Sequence, residues 1–183
     1  PMIGDIGLLY RAEPTARFVG ITGTNGKSTT TALIGHVLSQ AGLPIAVGGN
    51  LGTPALTFPS LGSKGVYVLE MSSYQLELID TMEFDVAILL NITPDHLDRH
   101  GGLDGYIAAK ERIFARQTPK DAAVVCIDSP PCRAVVQRLM QKAGGGRLVP
   151  ISVGHKAQGG VYVQDGRLVD DLDRQAVLAL VGL

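Results

Sequence analysis

The chain has 183 residues, and its hydrophobic fraction of 45% is enough for the core of one α/β domain of ordinary size. Sixteen basic side chains are balanced by seventeen acidic ones, which argues against nucleic acid or an anionic membrane as the main partner. No apolar run approaches the roughly 20 residues that a membrane-spanning helix needs. Two cysteines, Cys126 and Cys132, are too few for a disulfide framework. We therefore expect a cytoplasmic monomer with free thiols and no membrane insertion.

Short apolar runs alternate along the chain with segments of helical periodicity. Residues 1–15 contain Gly, Pro and scattered apolar side chains and are predicted to be a linker. Strands are predicted at 17–21, 45–47, 65–70, 86–91, 122–127 and 147–152, and helices at 28–41, 103–117 and 132–143. This alternation predicts an α/β fold with a doubly wound, mostly parallel sheet. Residues 160–169 flank Asp165-Gly166 and predict a small β-hairpin near the C-terminus, followed by a short helix in the tail, 170–183.

The helix predicted at 28–41 carries one apolar stripe at helical spacing. Its members are Leu33, Ile34, Val37, Leu38 and Ala41. We expect this stripe to be the buried face of the helix.

Residues 20–30, GITGTNGKSTT, form a glycine-punctuated loop between a predicted strand and a predicted helix. Small residues let backbone N–H groups surround a phosphate, and the following helix directs its positive dipole end to the same place. Lys27 would add a mobile cation and Ser28 a hydroxyl ligand for Mg²⁺. The strict phosphate-loop pattern requires glycine five positions before Gly26, where this chain has Ile21. The pattern nevertheless predicts a phosphate-binding loop, the P-loop.

Polar residues follow two other predicted strands, at Glu70 and Asn91. In an open α/β sheet, ligands bind outside the carboxyl ends of the strands, and a carboxylate there holds the metal of a nucleotide. The segment TPDHLDRH at 93–100 adds His96 and His100. A zinc site is one interpretation of these histidines, but neither a cysteine cluster nor HExxH accompanies them. His96 is favoured as a site residue because it lies just beyond a strand end.

Lys110 lies near the middle of an apolar stripe on the helix predicted at 103–117. That stripe comprises Leu103, Tyr106, Ile107, Ile113 and Phe114. One interpretation is a lysine whose stem packs while its amine extends to water. The other is a desolvated amine with a lowered pKa, which could add CO₂ to form a carbamate, an anionic metal ligand.

Together these motifs resemble the Mur ligase family, the ATP-dependent amide-forming enzymes of peptidoglycan precursor synthesis. The resemblance is carried by GTNGKST at 23–29, Glu70, NITPDHLDRH at 91–100 and YIAAK at 106–110, in the family's order. The resemblance also accounts for the glycine spacing of the loop, because loops of this family do not follow the strict phosphate-loop pattern. Three further segments, GDIGLL at 4–9, GGNLGTPAL at 48–56 and LEMSSYQLE at 69–77, are similar to the branch that adds D-glutamate to UDP-N-acetylmuramoyl-L-alanine.

The resemblance implies a role for each candidate residue. ATP would phosphorylate the substrate carboxylate to an acyl phosphate. The amine of D-glutamate would then attack this acyl phosphate. The implied ATP-binding residues are Gly23, Thr24, Asn25, Gly26, Lys27, Ser28 and Thr29, and the implied catalytic residues are Lys27, Glu70, His96 and Lys110. Ser28 and Glu70 would hold one Mg²⁺, and His96 and carbamylated Lys110 a second. Asn50, Ser72 and Gln75 would line the muramoyl substrate.

The resemblance also implies a larger protein. Residues 16–183 would be the central ATP-binding domain, between a domain for the UDP end of the substrate and a domain for the incoming amino acid. The family's late G-x-HN-x-x-N segment is absent from this sequence, so we expect the chain to be truncated. One alternative is a P-loop module without ligase chemistry, such as a switch GTPase, although NITPD at 91–95 supplies no guanine motif. Another is a different Mur or folate-polyglutamate-type ligase, although the folate enzymes typically have GKGS where this chain has GKST.

Overall fold

The computed structural model describes residues 3–50 and 52–172, and the backbone of residues 176–179. Six α-helices are found in these ranges: α1 Asp5–Ala12, α2 Lys27–Gln40, α3 Ser73–Leu78, α4 Leu97–His100, α5 Leu103–Glu111 and α6 Pro130–Gln141. Three short 3₁₀ helices cover Ala55–Thr57, Gly62–Lys64 and Arg112–Phe114. Within the same ranges, no helix is long and apolar enough to cross a bilayer.

In the described part of the chain, nine strands form one sheet. They are β1 Arg17–Thr22, β2 Ile45–Gly49, β3 Val66–Glu70, β4 Val86–Leu89, β5 Ala122–Cys126, β6 Arg147–Ser152, β7 Val161–Gln164, β8 Arg167–Asp170 and β9 Ala176–Ala179. Their order across the sheet is β2-β3-β1-β4-β5-β6-β7-β8-β9. The pairs from β2 to β7 are parallel, and the last two pairs are antiparallel. The prediction of a mostly parallel α/β sheet is therefore confirmed.

The sheet is covered on both faces, as a doubly wound fold requires. Because side chains alternate along a strand, β3 sends Val66 and Val68 to one face and Tyr67 and Leu69 to the other. On the first face the strands pack against α2. On the second, larger face the core includes residues of α1, α3, α5 and α6, among them Ile6, Leu76, Tyr106 and Val135.

Helix α2 buries only part of the predicted stripe, and its residue Ala41 is exposed. Leu33 and Val37 are exposed, at 60% and 55% of their surface. The helix instead turns Thr31 and Gly35 toward the sheet, with Ile34 and Leu38 partly buried beside them. A Cβ on Gly35 would lie 2.5 Å from Val47 Cγ2, so the absent side chain lets the helix approach β2 closely.

The two ends of the chain also differ from expectation. The segment predicted as a linker contains α1, whose Ile6 and Leu9 are buried in the core. The hairpin is confirmed as β7 and β8, and Asp165 and Gly166 both have positive φ, as a type I′ turn requires. The prediction of a helix in the tail is wrong for the described residues there, because residues 176–179 form β9, which pairs with β8. The rest of that predicted helix, 173–175 and 180–183, lies outside the described residues.

Candidate active site

The phosphate-binding loop connects the carboxyl end of β1 to the start of α2. Gly26 has φ 81° and is the N-cap of α2, a left-handed position that favours glycine. The first turn of the helix carries Lys27, Ser28 and Thr29, and the last two are exposed. Lys27 Nζ donates a hydrogen bond of 2.9 Å to the carbonyl of Thr24, so its ammonium folds back over the loop.

Asn91, which follows β4, anchors the loop from the neighbouring strand. Its Oδ1 accepts hydrogen bonds from the backbone N–H groups of Thr24 and Asn25, at 3.1 and 2.8 Å. Its Nδ2 donates to the carbonyl of Asn25 at 3.0 Å. The sequence marked Asn91 as a strand-end residue, but its role depends on β4 lying beside β1, which only the sheet order shows.

A second set of contacts joins the loop to helix α5. The hydroxyl of Thr24 accepts from Thr93 N at 3.0 Å and lies 3.2 Å from the hydroxyl of Tyr106. Burial raises the pKa of the Tyr106 phenol. Tyr106 was noted only as part of a helical stripe and a motif, so its polar contact with the loop was missed.

Lys110 is buried at 1% exposure, and its amine stays inside the protein. Nζ donates to the carbonyl of Gly23 at 2.8 Å and to Thr22 Oγ1 at 3.4 Å, and lies 4.7 Å from the centre of the Tyr106 ring. Burial, reinforced by the positive charge of Lys27, lowers the pKa of Lys110 to about 8. The interpretation of Lys110 as a snorkelling lysine is therefore excluded, and the desolvated amine remains.

Glu70 ends β3 with only 2% of its surface exposed. Its Oε1 accepts a hydrogen bond of 3.1 Å from Asn50 Nδ2, and its carbonyl accepts from Asn50 N at 2.9 Å. Gly49, at φ 112°, makes this approach feasible, because a Cβ there would lie 2.4 Å from the Glu70 carbonyl. The strand end thus brings a carboxylate and a substrate-side candidate into direct contact.

Ser72 and Gln75 form a capping box at the start of α3. Gln75 N donates to Ser72 Oγ at 3.2 Å, while Gln75 Oε1 accepts from Ser72 N and Ser72 Oγ, both at 3.1 Å. These bonds satisfy backbone donors at the helix start. Both residues thus have a structural task, and their contact with substrate stays a prediction.

His96 lies at the start of α4 in the left-handed region, with φ 49°. Such a conformation is costly for a residue with a side chain and persists where the surroundings hold it. Its ring is about half exposed, at 47%, and its Nε2 lies 3.4 Å from a carboxylate oxygen of Asp95.

One cavity of about 140 Å³ collects five of the predicted site residues, Lys27, Asn50, Ser72, His96 and Lys110. It is lined by Lys27, Asn50, Ser72, Ser73, Tyr74, Asp95, His96, Tyr106 and Lys110. Glu70 adjoins it through Asn50, and Gln75 lies behind Ser72 in the capping box. Sequence reasoning missed Ser73, Tyr74 and Asp95 as lining residues, although all three belong to motifs it had singled out.

The oxygen donors among the predicted metal ligands are suited to a hard cation. Ser28, Glu70 and His96 offer a hydroxyl, a carboxylate and an imidazole, and a carbamate on Lys110 would add an anionic oxygen. The buried carboxylate of Glu70 fits this chemistry. Among residues 3–50 and 52–172, no group of three His, Cys, Asp or Glu side chains stands close enough to hold a metal alone. Any Mg²⁺ here therefore needs ligands of other kinds, such as a hydroxyl or phosphate oxygens.

The sheet, the glycine-rich loop and the helix that follows it define a P-loop α/β domain. Its sequence matches the Mur ligase middle domain over residues 21–173, and the chain belongs to this family.

Two curated relatives illustrate the similarity. The UDP-N-acetylmuramoylalanine--D-glutamate ligase of Paramagnetospirillum magneticum is 57% identical over 171 residues, which are 93% of this chain and 37% of that protein. The ligase of the same name from Rickettsia felis is 46% identical over 171 residues, with the same coverage of 93% and 37%. The chain thus spans little more than a third of the length of these relatives.

Solved structures show the same fold at lower identity. The ligase that acts on UDP-N-acetylmuramoyl-L-alanyl-D-glutamate and 2,6-diaminopimelate matches with a TM-score of 0.64 and 23% identity, over 90% of this chain and 39% of its own. The MurF ligase of Thermotoga maritima, solved in complex with ADP, matches with a TM-score of 0.60 and 20% identity, over 89% of this chain and 39% of its own.

Proposed function

We propose that this chain is the ATP-binding middle domain of a ligase that joins D-glutamate to UDP-N-acetylmuramoyl-L-alanine through an acyl phosphate. The family, the relatives' names and the site geometry support this assignment. The domain for the UDP end of the substrate and the domain for D-glutamate would lie in the parts of the protein that this chain does not include. Its place of action would be the cytoplasm.

The observation that carries the proposal is the convergence of unlike groups at one edge of the sheet. The P-loop follows β1, the carboxylate of Glu70 ends β3, and His96 lies shortly after β4, while the buried amine of Lys110 donates to the loop carbonyl of Gly23 at 2.8 Å. A loop that bound only a phosphate would not need the other three groups. Transfer of a phosphoryl group to an anionic carboxylate needs several positive or metal-binding groups together.

Each residue then has a task in the reaction. Residues 23–29 surround the ATP phosphates, and Lys27, now folded onto Thr24, extends to neutralise the γ-phosphate. Asn50, Ser72 and Gln75 orient the muramoyl substrate so that its carboxylate faces the γ-phosphate. The carboxylate oxygen attacks phosphorus and ADP leaves; the amine of D-glutamate then attacks the acyl carbon and phosphate leaves.

Two Mg²⁺ ions would neutralise the charge that accumulates on the phosphate oxygens. Ser28 and Glu70 would hold one ion, and His96 and carbamylated Lys110 the other. The lowered pKa of Lys110 supports the carbamate, because only the neutral amine adds CO₂ and then releases a proton. Isotope-labelled bicarbonate and carbon NMR test it: a carbamate signal is expected, which Lys110→Met abolishes and Lys64→Met, at an exposed position, retains. A signal that survives in Lys110→Met would contradict the assignment.

Binding of Mg-ATP to the 183-residue chain is the direct test of the loop. Calorimetric titration should give a Kd that rises about tenfold or more in Lys27→Met, because a charge-assisted contact to phosphate is lost. The matched control Lys64→Met should leave the Kd unchanged. Equal Kd values for the two variants would show that the loop does not hold the phosphates.

Catalysis is expected only from the full-length ligase. D-Glutamate-dependent phosphate release should be measurable with the full-length ligase and absent with the 183-residue chain. This chain spans about 37% of the length of a 57% identical relative. Phosphate release by the 183-residue chain alone would contradict the proposal that the reaction also needs the two flanking domains. A full-length protein that binds Mg-ATP but never releases phosphate would indicate a nucleotide-binding module instead.

A further inference from the structure

The side chain of His100 is more deeply buried than that of its neighbour His96, and the proposed reaction gives it no task. The side chain of His100 is 1% exposed, whereas that of His96 is 47% exposed. Its Nδ1 lies 3.0 Å from Glu77 Oε1, and its Nε2 lies 3.0 Å from Ser73 Oγ. In the neutral tautomer, Nδ1 donates to the carboxylate and Nε2 accepts from the serine hydroxyl. Both ring nitrogens are thus used for contacts with α3.

The two helices that His100 joins are too short to hold their own positions. Helix α3 has six residues and α4 has four. Isolated helices of this length are unstable, because nucleation is costly and few hydrogen bonds repay it. Helix α4 also begins and ends at left-handed residues, His96 at φ 49° and Gly101 at φ 70°. Its placement must therefore come from tertiary contacts.

These short helices both contribute walls of the candidate site. The start of α3 presents Ser72, Ser73 and Tyr74 to the cavity, and the start of α4 presents His96. Within α4, the backbone N–H of His100 donates to the carbonyl of His96 at 3.3 Å. The side chain of His100 is bonded to α3 and its backbone to His96, so it connects the two walls.

Aromatic packing reinforces this connection. The centre of the His100 ring lies 5.7 Å from that of Tyr74 and 5.5 Å from that of Tyr106. His96 lies 5.3 Å from Tyr74 and 6.3 Å from Tyr106 by the same measure. The two histidines thus share both tyrosines, and a displaced His100 ring would release the packing around His96.

We propose that His100 is a positioning residue that fixes the start of α3 relative to the start of α4, and so sets the separation of Ser72 and His96 in the lining of the cavity. Its effect on catalysis rests on the proposed function, in which these two residues contact the muramoyl substrate and the second metal ion. Its effect on the position of α4 does not depend on that function.

The test uses the full-length ligase with three variants. His100→Phe keeps a planar ring but removes both ring nitrogens. His100→Gln returns one donor and one acceptor. The matched control is His155→Phe, at an exposed position far along the chain.

Two readouts separate positioning from general stability. Amide hydrogen exchange of residues 97–100 should rise about tenfold or more in His100→Phe, because the buried hydroxyl of Ser73 loses its partner and Glu77 loses one of its two contacts with α4, the other being Arg99. In the same variant kcat should fall about tenfold to a hundredfold while the KM for ATP stays within about twofold, since both ring nitrogens of His100 bond to α3 and neither bonds to the phosphate loop. His100→Gln should recover part of both losses, and His155→Phe should alter neither.

Several outcomes would overturn the proposal. These are an unchanged kcat in His100→Phe, a lower kcat without faster exchange in α4, or a parallel loss of affinity for ATP. Should His100→Phe fail to fold, Ser73→Ala removes one of the two side-chain contacts and should show the same division between kcat and KM in weaker form. If the unmodified ligase releases no phosphate with D-glutamate, the proposed function fails, and the exchange measurement alone decides whether His100 positions α4.

Discussion

The buried amine of Lys110 should make the stability of this domain depend on pH. Replacing it by Met removes the charge and keeps an unbranched, flexible side chain in the same space. Lys110 is suited to this test because it is 1% exposed and its amine contacts the protein interior rather than water. The variant therefore isolates the cost of burying one ammonium group.

The size of the effect follows from the two pKa values of this amine. Its ordinary value is 10.5, and in the folded protein it is about 8. Burying the charged form therefore lowers the free energy of unfolding by about 3 kcal/mol. Because the folded pKa lies below the unfolded one, the unfolded chain binds more protons between these values, and stability rises with pH across that window. The penalty is complete below about pH 8 and absent above about pH 10.5.

Urea unfolding of the 183-residue chain at several pH values measures this dependence. From about pH 7 to about pH 9.5, the free energy of unfolding of the wild type should rise by ~2 kcal/mol relative to Lys110→Met. Lys64→Met, an exposed control, should show no such change relative to the wild type. Buffers must be free of CO₂, because a carbamate would replace the titrating amine.

Taking differences between variants cancels the titration of every group that Lys110 does not touch. A difference that stays constant with pH would refute the reasoning, because it would mean that the amine keeps an ordinary pKa in the folded state. A difference of the opposite sign would mean that the site stabilises the ammonium. Either result would also remove the physical support for a carbamate at this position.

The remaining predictions concern a close backbone approach and the anchor of the loop. Gly49→Ala should lower the free energy of unfolding by more than about 2 kcal/mol, because its Cβ would lie 2.4 Å from the Glu70 carbonyl. Gly52→Ala, also at positive φ but in open space, should cost only about 1 kcal/mol in the same urea titration, and equal costs would contradict this account. Asn91→Ala removes three hydrogen bonds from the loop and should raise the Kd for Mg-ATP about tenfold; an unchanged Kd would show that the loop holds its shape without it.

Strands and motifs were predictable from the sequence because their signals are local. The apolar runs at 65–70 and 86–91 are buried on both faces of a parallel sheet, which permits no alternation, and their polar ends mark the ligand edge. The same locality explains the confirmed hairpin, since Asp165 and Gly166 are residue types that favour the positive φ values their turn adopts.

The short helices, the last strand and the buried face of helix α2 were not predictable from local signals. Helix α2 has apolar residues around much of its surface, and the sheet selected the face with Gly35 because the helix can come closest there. Helices α3 and α4 are too short for a periodic signal, and α1, although amphipathic, has only eight residues. All three depend on contacts with the core or with each other. Strand β9 exists through its pairing with β8, which no local pattern in the tail indicates.

Residue types and their spacing were enough to predict the kind of site: a glycine-rich loop, a strand-end carboxylate, a histidine and a lysine within an apolar stripe. Tertiary structure decided how these groups act on one another. Periodicity indicated that Lys110 faces the core, but only the position of Gly23 shows that its amine remains inside, bonded to the loop. Likewise, only the placement of α3 beside α4 gives both nitrogens of His100 a partner. The physical reason is that residue type and spacing set what a side chain can do, whereas burial and bonding depend on groups distant along the chain.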